Sequence, residues 1–349
     1  MDPIRVGIIG CGYWGPNLIR NFVNSPGSEV VVVADVNEKR LQYVRDRYPS
    51  IETTQDYHTL FSMGLDAAVV ATQPVLHFSI ARECLYHGLS VLVEKPMTLS
   101  SHDAEQLIEL ANERDLQLMS GHTLVYNSAV RALKDLIQSG ELGEVFYIDS
   151  LRASLGPFRH DLDVLWDLAP HDISVLLYLL GHDPISVSAS GGSHIQEGIC
   201  DVANLSLIFP GEITANVQVS WLEPCKLRRV KVVGSHKMAT FDDVAPVEKI
   251  KIYDARVDIQ AYADAVVEFP LSYRLGDVVS PQIDSAEPLR RECEDFIRSI
   301  ATGAEPECDG EFGLRVIRVL DAADRSLRNG KDHELIVAAD QWVEEAIPL

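Results

Sequence analysis

The sequence predicts an α/β fold: an N-terminal doubly wound parallel Rossmann sheet, followed by a C-terminal α+β domain with an open, largely antiparallel sheet. Three observations predict it. Short, almost wholly apolar runs alternate with helical patterns through the first third, as parallel strands covered on both faces require. A glycine-rich loop follows the first apolar run directly and opens a helix. Near residue 125 the alternation gives way to strand-like segments with few helices between them.

Taken in order, residues 5–10 form a buried strand and 15–25 a helix. Residues 29–34, mostly valine, form the next strand, 37–48 a helix, and 67–71 (Ala-Ala-Val-Val-Ala) another strand. A helix over 75–87 stops at Gly88 and a strand covers 90–93. A helix over 100–114 is opened by Ser101 or its neighbour, and 117–120 is a further strand. After a helix at 129–139, strands are expected at 145–152, 185–191, 202–209, 213–220, 227–233 and 249–253. Turn signals such as Gly191-Gly192 and Pro210-Gly211 separate them. One helix, 168–180, interrupts this series, and helices at 288–302 and 311–328 end the chain. The expected division is a dinucleotide-binding domain over 1–124 and a substrate-side domain over 125–349, the last two helices being candidates to pack back on the first.

Bulk properties narrow the function. At 349 residues, 46% hydrophobic, the chain suffices for two cores. Acidic residues outnumber basic ones 52 to 30, for a formal charge of −22. Such a surface repels phosphate backbones and anionic lipid, so neither nucleic acid nor a membrane is expected as a partner. Residues 1–9 read as a first strand, not a signal peptide, and no apolar run approaches the ~20 residues that span a bilayer. Six scattered cysteines without a Cys-x-x-Cys pair read as reduced thiols. The expected location is the cytoplasm.

The loop Gly10-Cys11-Gly12-Tyr13-Trp14-Gly15 has the spacing of a dinucleotide site. Gly10 permits the tight turn, Gly12 lets backbone approach the pyrophosphate, and Gly15 lets the helix sit close to the sheet with its amides facing the phosphates. Asp35 ends the second strand, 20 residues past Gly15, where an acid accepts from the adenosine ribose hydroxyls. It repels a 2′-phosphate, so NAD is favoured over NADP, although Lys39 and Arg40 lie close by in sequence. Glu94-Lys95-Pro96 follows another strand, and ligands gather at the carboxyl ends of such strands.

The order of motifs resembles the Gfo/Idh/MocA oxidoreductases, the relatives of glucose–fructose oxidoreductase and inositol dehydrogenase. The resemblance runs from the glycine loop through Ala71-Thr72-Gln73-Pro74-Val75-Leu76-His77 and Glu94-Lys95-Pro96. It continues through Gly121-His122-Thr123-Leu124-Val125-Tyr126-Asn127, Trp166-Asp167-Leu168-Ala169-Pro170-His171-Asp172, and residues 288–296. It implies that Tyr13, Trp14, Thr72, Pro74 and His77 join the cofactor site and that Glu94 touches the nicotinamide ribose. It also implies that Lys95 hydrogen-bonds the reacting hydroxyl, that the Lys95–Pro96 peptide is cis, and that Asp167 and His171 form the catalytic Asp-x-x-x-His pair. Tyr126 and Asn127 would begin the substrate side, and the C-terminal sheet would join a homodimer or homotetramer. Gln73 departs from the Thr-Pro start common at that loop.

The chemistry gives these residues independent reasons. Oxidation of a secondary alcohol sends hydride to a nicotinamide while the hydroxyl loses a proton, and a neutral imidazole accepts a proton near pH 7. With a helix starting close to Pro170, His171 would lie in the first turn, where the dipole disfavours imidazolium. Asp167 would fix its tautomer, and Lys95 would offset developing alkoxide charge. The acids and histidines between His160 and Asp172 resemble an oxygen/nitrogen metal set, but they lack fixed spacing on one element and hydride transfer needs no metal, so none is expected.

Arg152 and Arg159 flank the catalytic segment and suit either a diphosphate or carboxylate or pairing with Asp161 or Asp163, and Trp221 is read first as a core residue, with stacking on a sugar ring as the alternative. The segments 12–17 and 166–172 resemble the subgroup acting on nucleotide-linked sugars, which implies hydride transfer at C3 of a UDP-N-acetylhexosamine-like substrate. Rival readings are a dehydrogenase of free sugars or cyclitols, an NAD-dependent glycosidase with no net redox change, and a non-catalytic NAD-binding regulator.

Overall fold

The computed structural model describes residues 2–259, 271–330 and 332–336. They fall into two compact units, one from 2–127 with 286–321, the other from within 128–285 and 322–336.

The first unit is built on a six-stranded sheet of β1 (Ile4–Ile9), β2 (Ser28–Ala34), β3 (Glu52–Thr54), β4 (Ala67–Val70), β5 (Ser90–Glu94) and β6 (Leu118–Gly121). Every pairing is parallel and the order is β3-β2-β1-β4-β5-β6. The order reverses between β1 and β4, so the loop after β1 opens at the switch point where such sheets bind ligands. Helices α1 (Gly15–Asn24), α2 (Glu38–Arg47), α3 (Pro74–Tyr86) and α4 (Ser101–Glu113) connect the strands. Their starts follow local chemistry. Asn37 and Ser100 cap α2 and α4 by accepting from the amides of Lys39 and Asp103, and Pro74 opens α3 where its missing N–H costs nothing.

The second unit begins with α5 (Ser128–Gln138), β7 (Val145–Leu155) and α6 (Val164–Leu180). Then come β8 (Ser186–Gly192), β9 (Val202–Ile208), β10 (Thr214–Ser220), β11 (Leu222–Gly234), β12 (Met238–Asp242), β13 (Ile250–Ile259) and β14 (Leu271–Val279). With β15 (Glu334–Leu335), near the end of the described residues, they form one sheet in the order β14-β13-β12-β11-β7-β10-β9-β8-β15. All neighbours are antiparallel except β7 and β10. One face of β7 and β10 is apolar, with Ile148, Val217 and Val219 buried, and α6 packs there. Between β13 and the end of the chain come α7 (Pro288–Thr302), which belongs to the first unit, and α8 (Gly310–Arg328).

Two expectations are corrected. The helix expected at 168–180 starts at Val164, because the Asp163 side chain accepts from the Trp166 amide and caps it there. Pro170 therefore lies inside the helix, where it forgoes one backbone bond while buried apolar neighbours keep the helix going. His171 stands two turns in, so the first-turn dipole argument for its neutrality falls. The strand β14 is not among the expected elements: Leu271, Tyr273 and Leu275 alternate with polar residues, but Gly276-Asp277 interrupts the pattern and the residues are mostly exposed.

Candidate active site

The glycine loop is held by close backbone contacts. Gly10 has φ of +100° and its amide donates to the Ala34 carbonyl at 2.8 Å. A Cβ there would lie 2.4 Å from the Ala71 carbonyl oxygen, and one on Gly15 would lie 2.5 Å from that of Gly10. Both glycines are thus demanded by the fold. Gly12 differs: the nearest atom to a Cβ there is Arg40 Nη1, at 3.9 Å. Packing does not require glycine at 12, whereas close backbone approach of a pyrophosphate does. The residues present fit a dinucleotide.

Asp35 is buried and tied to the same loop. Its Oδ2 accepts from the Cys11 amide at 2.7 Å and its Oδ1 from the Asn37 amide at 2.8 Å. Arg40 Nη1 stands 3.3 Å from Oδ2. The Cys11 thiol is pushed up to about 11 by burial and then by Asp35, so this cysteine contributes its amide and no thiolate. Tyr13 is 95% exposed at the loop tip, and Trp14 begins α1 as its N-cap residue.

At the end of β5, Glu94 is buried and its Oε2 accepts from the Lys95 amide at 3.3 Å. Burial pushes its carboxyl up to about 7, against the opposing pull of Lys95 and a hydrogen bond with Trp14. The Lys95–Pro96 peptide is cis. His77, on α3, braces this turn: its Nδ1 lies 2.8 Å from the Pro96 carbonyl and its Nε2 3.1 Å from that of Thr72. The ring is buried, so His77 shapes the loops bearing Thr72, Pro74 and Lys95, and does not itself face a ligand. His122, just past β6, is buried and pushed down to about 3 by burial and by the charge of Lys95.

In the second unit, Asp167 and His171 are one turn apart on α6, which places them on one helix face. Asp167 Oδ1 accepts from Arg159 Nη1 at 3.3 Å and its Oδ2 from the Trp221 indole at 3.2 Å. Arg159 also binds Asp161 through two donors, at 2.9 and 2.6 Å. The neighbouring Asp172 turns inward, accepting from Ser150 at 2.7 Å and from Arg152 Nε at 2.6 Å.

Two candidate substrate contacts, Tyr126 and Arg152, turn inward, and Trp221 takes the core-packing alternative. Tyr126 is buried and its hydroxyl donates to Asp295 at 2.7 Å. Arg152 is buried against Asp172. Trp221 is 1% exposed, stacked edge-on by Phe158 and hydrogen-bonded to Asp167, which leaves no face for a sugar. Asn127 follows the short 3-10 turn Thr123–Tyr126 that carries the chain out of the first unit.

Sequence reasoning missed Thr123 and Glu292. The Thr123 hydroxyl donates to Glu292 Oε2 at 2.9 Å, and Glu292 is 0% exposed. The signal was present: Glu292 stands on the stripe Leu289, Cys293, Phe296, Ile297 of α7, where an acid breaks the apolar pattern.

Comparison with known proteins fits this geometry. The family profile for the oxidoreductase family with an NAD-binding Rossmann fold, GFO/IDH/MocA, matches residues 4–122, and that of the GFO/IDH/MocA C-terminal domain matches 130–240. UDP-N-acetylglucosamine 3-dehydrogenase of Acidithiobacillus ferrooxidans is 28% identical over 91% of this chain and 95% of its own length. Its solved structure superposes with a TM-score of 0.78 over 94% of this chain and 99% of its own, at 26% identity. A solved structure from Magnetospirillum magnetotacticum MS-1 is 30% identical, with a TM-score of 0.78 over 92% of this chain and all of its own. Inositol 2-dehydrogenase of Rhizobium meliloti is 23% identical over 93% of this chain and 97% of its own length. With a glycine loop that fits a dinucleotide and both family domains matched in order, this chain belongs to the GFO/IDH/MocA family of NAD-binding oxidoreductases.

Proposed function

We propose that the protein is an NAD-dependent dehydrogenase acting on a secondary hydroxyl of a sugar, at C3 of a UDP-N-acetylhexosamine-type nucleotide sugar. The observation that carries the reading is Asp167, fixed at both oxygens by Arg159 and Trp221 one turn before His171 on the same helix face. An acid held that firmly beside a histidine suits a base whose cationic form must be stabilised during turnover.

The bound dinucleotide supplies the hydride acceptor. Gly10, Gly12 and Gly15 hold the loop that takes its pyrophosphate, with Tyr13, Trp14, Thr72 and Pro74 beside it, and Asp35 accepts from the adenosine ribose. Glu94 takes the nicotinamide ribose. His171 accepts the proton of the substrate hydroxyl, Asp167 orients it, and Lys95 offsets the negative charge that develops on that oxygen. Arg159 and Asn127 complete the substrate side, Arg159 serving a diphosphate. The resemblance to a UDP-N-acetylglucosamine 3-dehydrogenase across nearly the whole chain supports the nucleotide-sugar substrate. The similarity to an inositol 2-dehydrogenase supports a cyclitol as the second reading. Association into dimers or tetramers through the second unit's sheet belongs to the same proposal, as the small polar side chains Ser190, Asn204, Ser206 and Asn216 line that sheet together.

A thermal-shift screen of NAD-loaded protein against UDP-N-acetylhexosamines, free sugars and inositols tests it, followed by NADH release with each hit. A ligand at ~100 times its dissociation constant adds ~2.7 kcal/mol of stability. A response to inositol alone transfers the assignment to cyclitols, and no response to any sugar or cyclitol overturns it.

A further inference from the structure

The turn signal Gly191-Gly192 ends β8 and opens a loop that the proposed reaction leaves unused. A Cβ on Gly191 would lie 2.6 Å from the Val202 carbonyl oxygen, and one on Gly192 would lie 2.7 Å from Cε1 of His194. The first glycine makes room for backbone, the second for the imidazole of His194, which lies against the strand end. The His194 side chain is 58% exposed, yet its Nδ1 stands 2.7 Å from Oδ1 of Asp201, whose side chain is 1% exposed. Oδ2 of Asp201 accepts from the amides of His194 and Ile195 at 2.6 and 2.8 Å. Those two amides shape the loop and favour the ionised carboxyl; the bond to the ring sets the imidazole. A carboxylate only accepts, so Nδ1 carries the hydrogen and the neutral ring keeps Nε2 as an acceptor.

The same loop is tied to the segment that holds Asp167. The Asp201 carbonyl accepts from the Trp221 amide at 3.0 Å, while the Trp221 indole donates to Asp167. The Cys200 carbonyl accepts from the amide of Val164, the first residue of α6, at 2.9 Å. Gly192, Val202 and Ser220 form one row across β8, β9 and β10. His194 thus follows a strand two places along from the one that ends beside Trp221, an offset of ~10 Å. Such an offset passes a single sugar ring and suits the far end of a longer substrate.

We propose that His194 is a specificity-determining residue whose Nε2 accepts a hydrogen from the nucleoside part of a nucleotide-linked sugar, with Asp201 fixing its tautomer. A nucleoside offers ribose hydroxyls and a base N–H as donors, whereas a free sugar or cyclitol has no group that extends so far. The inference rests on the nucleotide-sugar reading above and names the residue that tells such a substrate from a free sugar.

Steady-state kinetics and UDP competition on the full NAD-loaded chain test it. His194→Ala alters a mostly exposed side chain and should leave folding intact. Its KM for UDP-N-acetylglucosamine should rise about fivefold, as the loss of one hydrogen bond implies, with kcat unchanged. UDP should compete about fivefold more weakly, while KM for free N-acetylglucosamine stays put. His194→Gln, which keeps an acceptor at its tip, should recover most of the loss. Unchanged KM and UDP affinity in His194→Ala, or an equal loss with the free sugar, overturns the role of His194 alone. A wild type that turns over cyclitols but neither oxidises UDP-sugars nor binds UDP overturns the nucleotide-sugar reading, and this role with it.

Discussion

Trp221, at the turn between β10 and β11, donates its indole hydrogen to Asp167 Oδ2 across 3.2 Å. The ring is buried, so this bond is shielded from water and its removal leaves a carboxylate oxygen short of a partner. Trp221→Phe keeps most of the packing against Phe158 and deletes only the donor. Such a loss costs ~1–3 kcal/mol, which corresponds to a fall in kcat of about tenfold or more if Asp167 orients the base. KM should change little. Steady-state kinetics with the sugar found in the screen checks this, and an unchanged kcat would separate Asp167 from catalysis.

Gly12 and Gly15 should separate binding from folding. Alanine at 12 meets nothing nearer than 3.9 Å, while alanine at 15 drives a Cβ to 2.5 Å from the Gly10 carbonyl oxygen. We expect Gly12→Ala to melt within a degree or two of wild type yet lose NADH binding at least tenfold. Gly15→Ala should lower the melting temperature itself. Melting curves and fluorescence titrations of both variants check the contrast.

Asp35 is held by two backbone amides, and Arg40 stands 3.3 Å from its Oδ2. Asp35→Ser removes the charge that repels a 2′-phosphate and frees Arg40 to pair with one. NAD should bind about tenfold more weakly and NADP more tightly, reversing or levelling the preference. Parallel titrations with both cofactors decide it; an unchanged ratio would remove Asp35 from the ribose site.

Arg152 should matter for folding. Its guanidinium meets Asp172 through Nε at 2.6 Å and Nη2 at 3.3 Å, with both side chains buried. Arg152→Ala strands a buried carboxylate, which typically costs 3–5 kcal/mol. Chemical denaturation reads this loss, and a stability change below ~1 kcal/mol would contradict the inward role.

What the sequence could reveal follows from the physics involved. The tight turn at Gly10, the close approach at Gly15 and the place of Asp35 just after β2 were legible because backbone geometry and chain spacing alone fix them. The parallel strands were legible because burial on both faces writes an apolar run. Asp167 and His171 showed their spacing but not their place on α6, since Pro170 resembles a helix start until Asp163 is seen to cap the helix a full turn and more earlier. Trp221, Arg152 and Tyr126 stay open between ligand and buried partner for one shared reason. A polar or aromatic side chain near a site looks the same in sequence whether it faces a ligand or a buried partner, and those partners lie 54, 20 and 169 residues away in the chain.

His122 provides a test by acid. Its ring is 1% exposed, lies edge-on to Phe312 at 5.6 Å, and is pushed down to about 3 by burial and by Lys95. An unfolded histidine binds its proton near pH 6.5, so below that pH the unfolded chain holds a proton that the folded one refuses. Stability is therefore intact above pH 6.5 and falls as pH drops toward 3, by up to ~1.4 kcal/mol per pH unit. Glu94 acts with the opposite sign, because its raised carboxyl keeps a proton between its ordinary range and about 7. Folding stability from that group is greatest in acid and declines as pH rises through that window. Wild type alone would show only the sum, whereas His122→Leu isolates the histidine. Between pH 6.5 and pH 5 the variant should gain ~2 kcal/mol relative to wild type, read from urea unfolding at matched pH values. A stability difference that stays constant over that range would mean that the His122 ring takes up its proton in the folded protein as readily as in the unfolded chain.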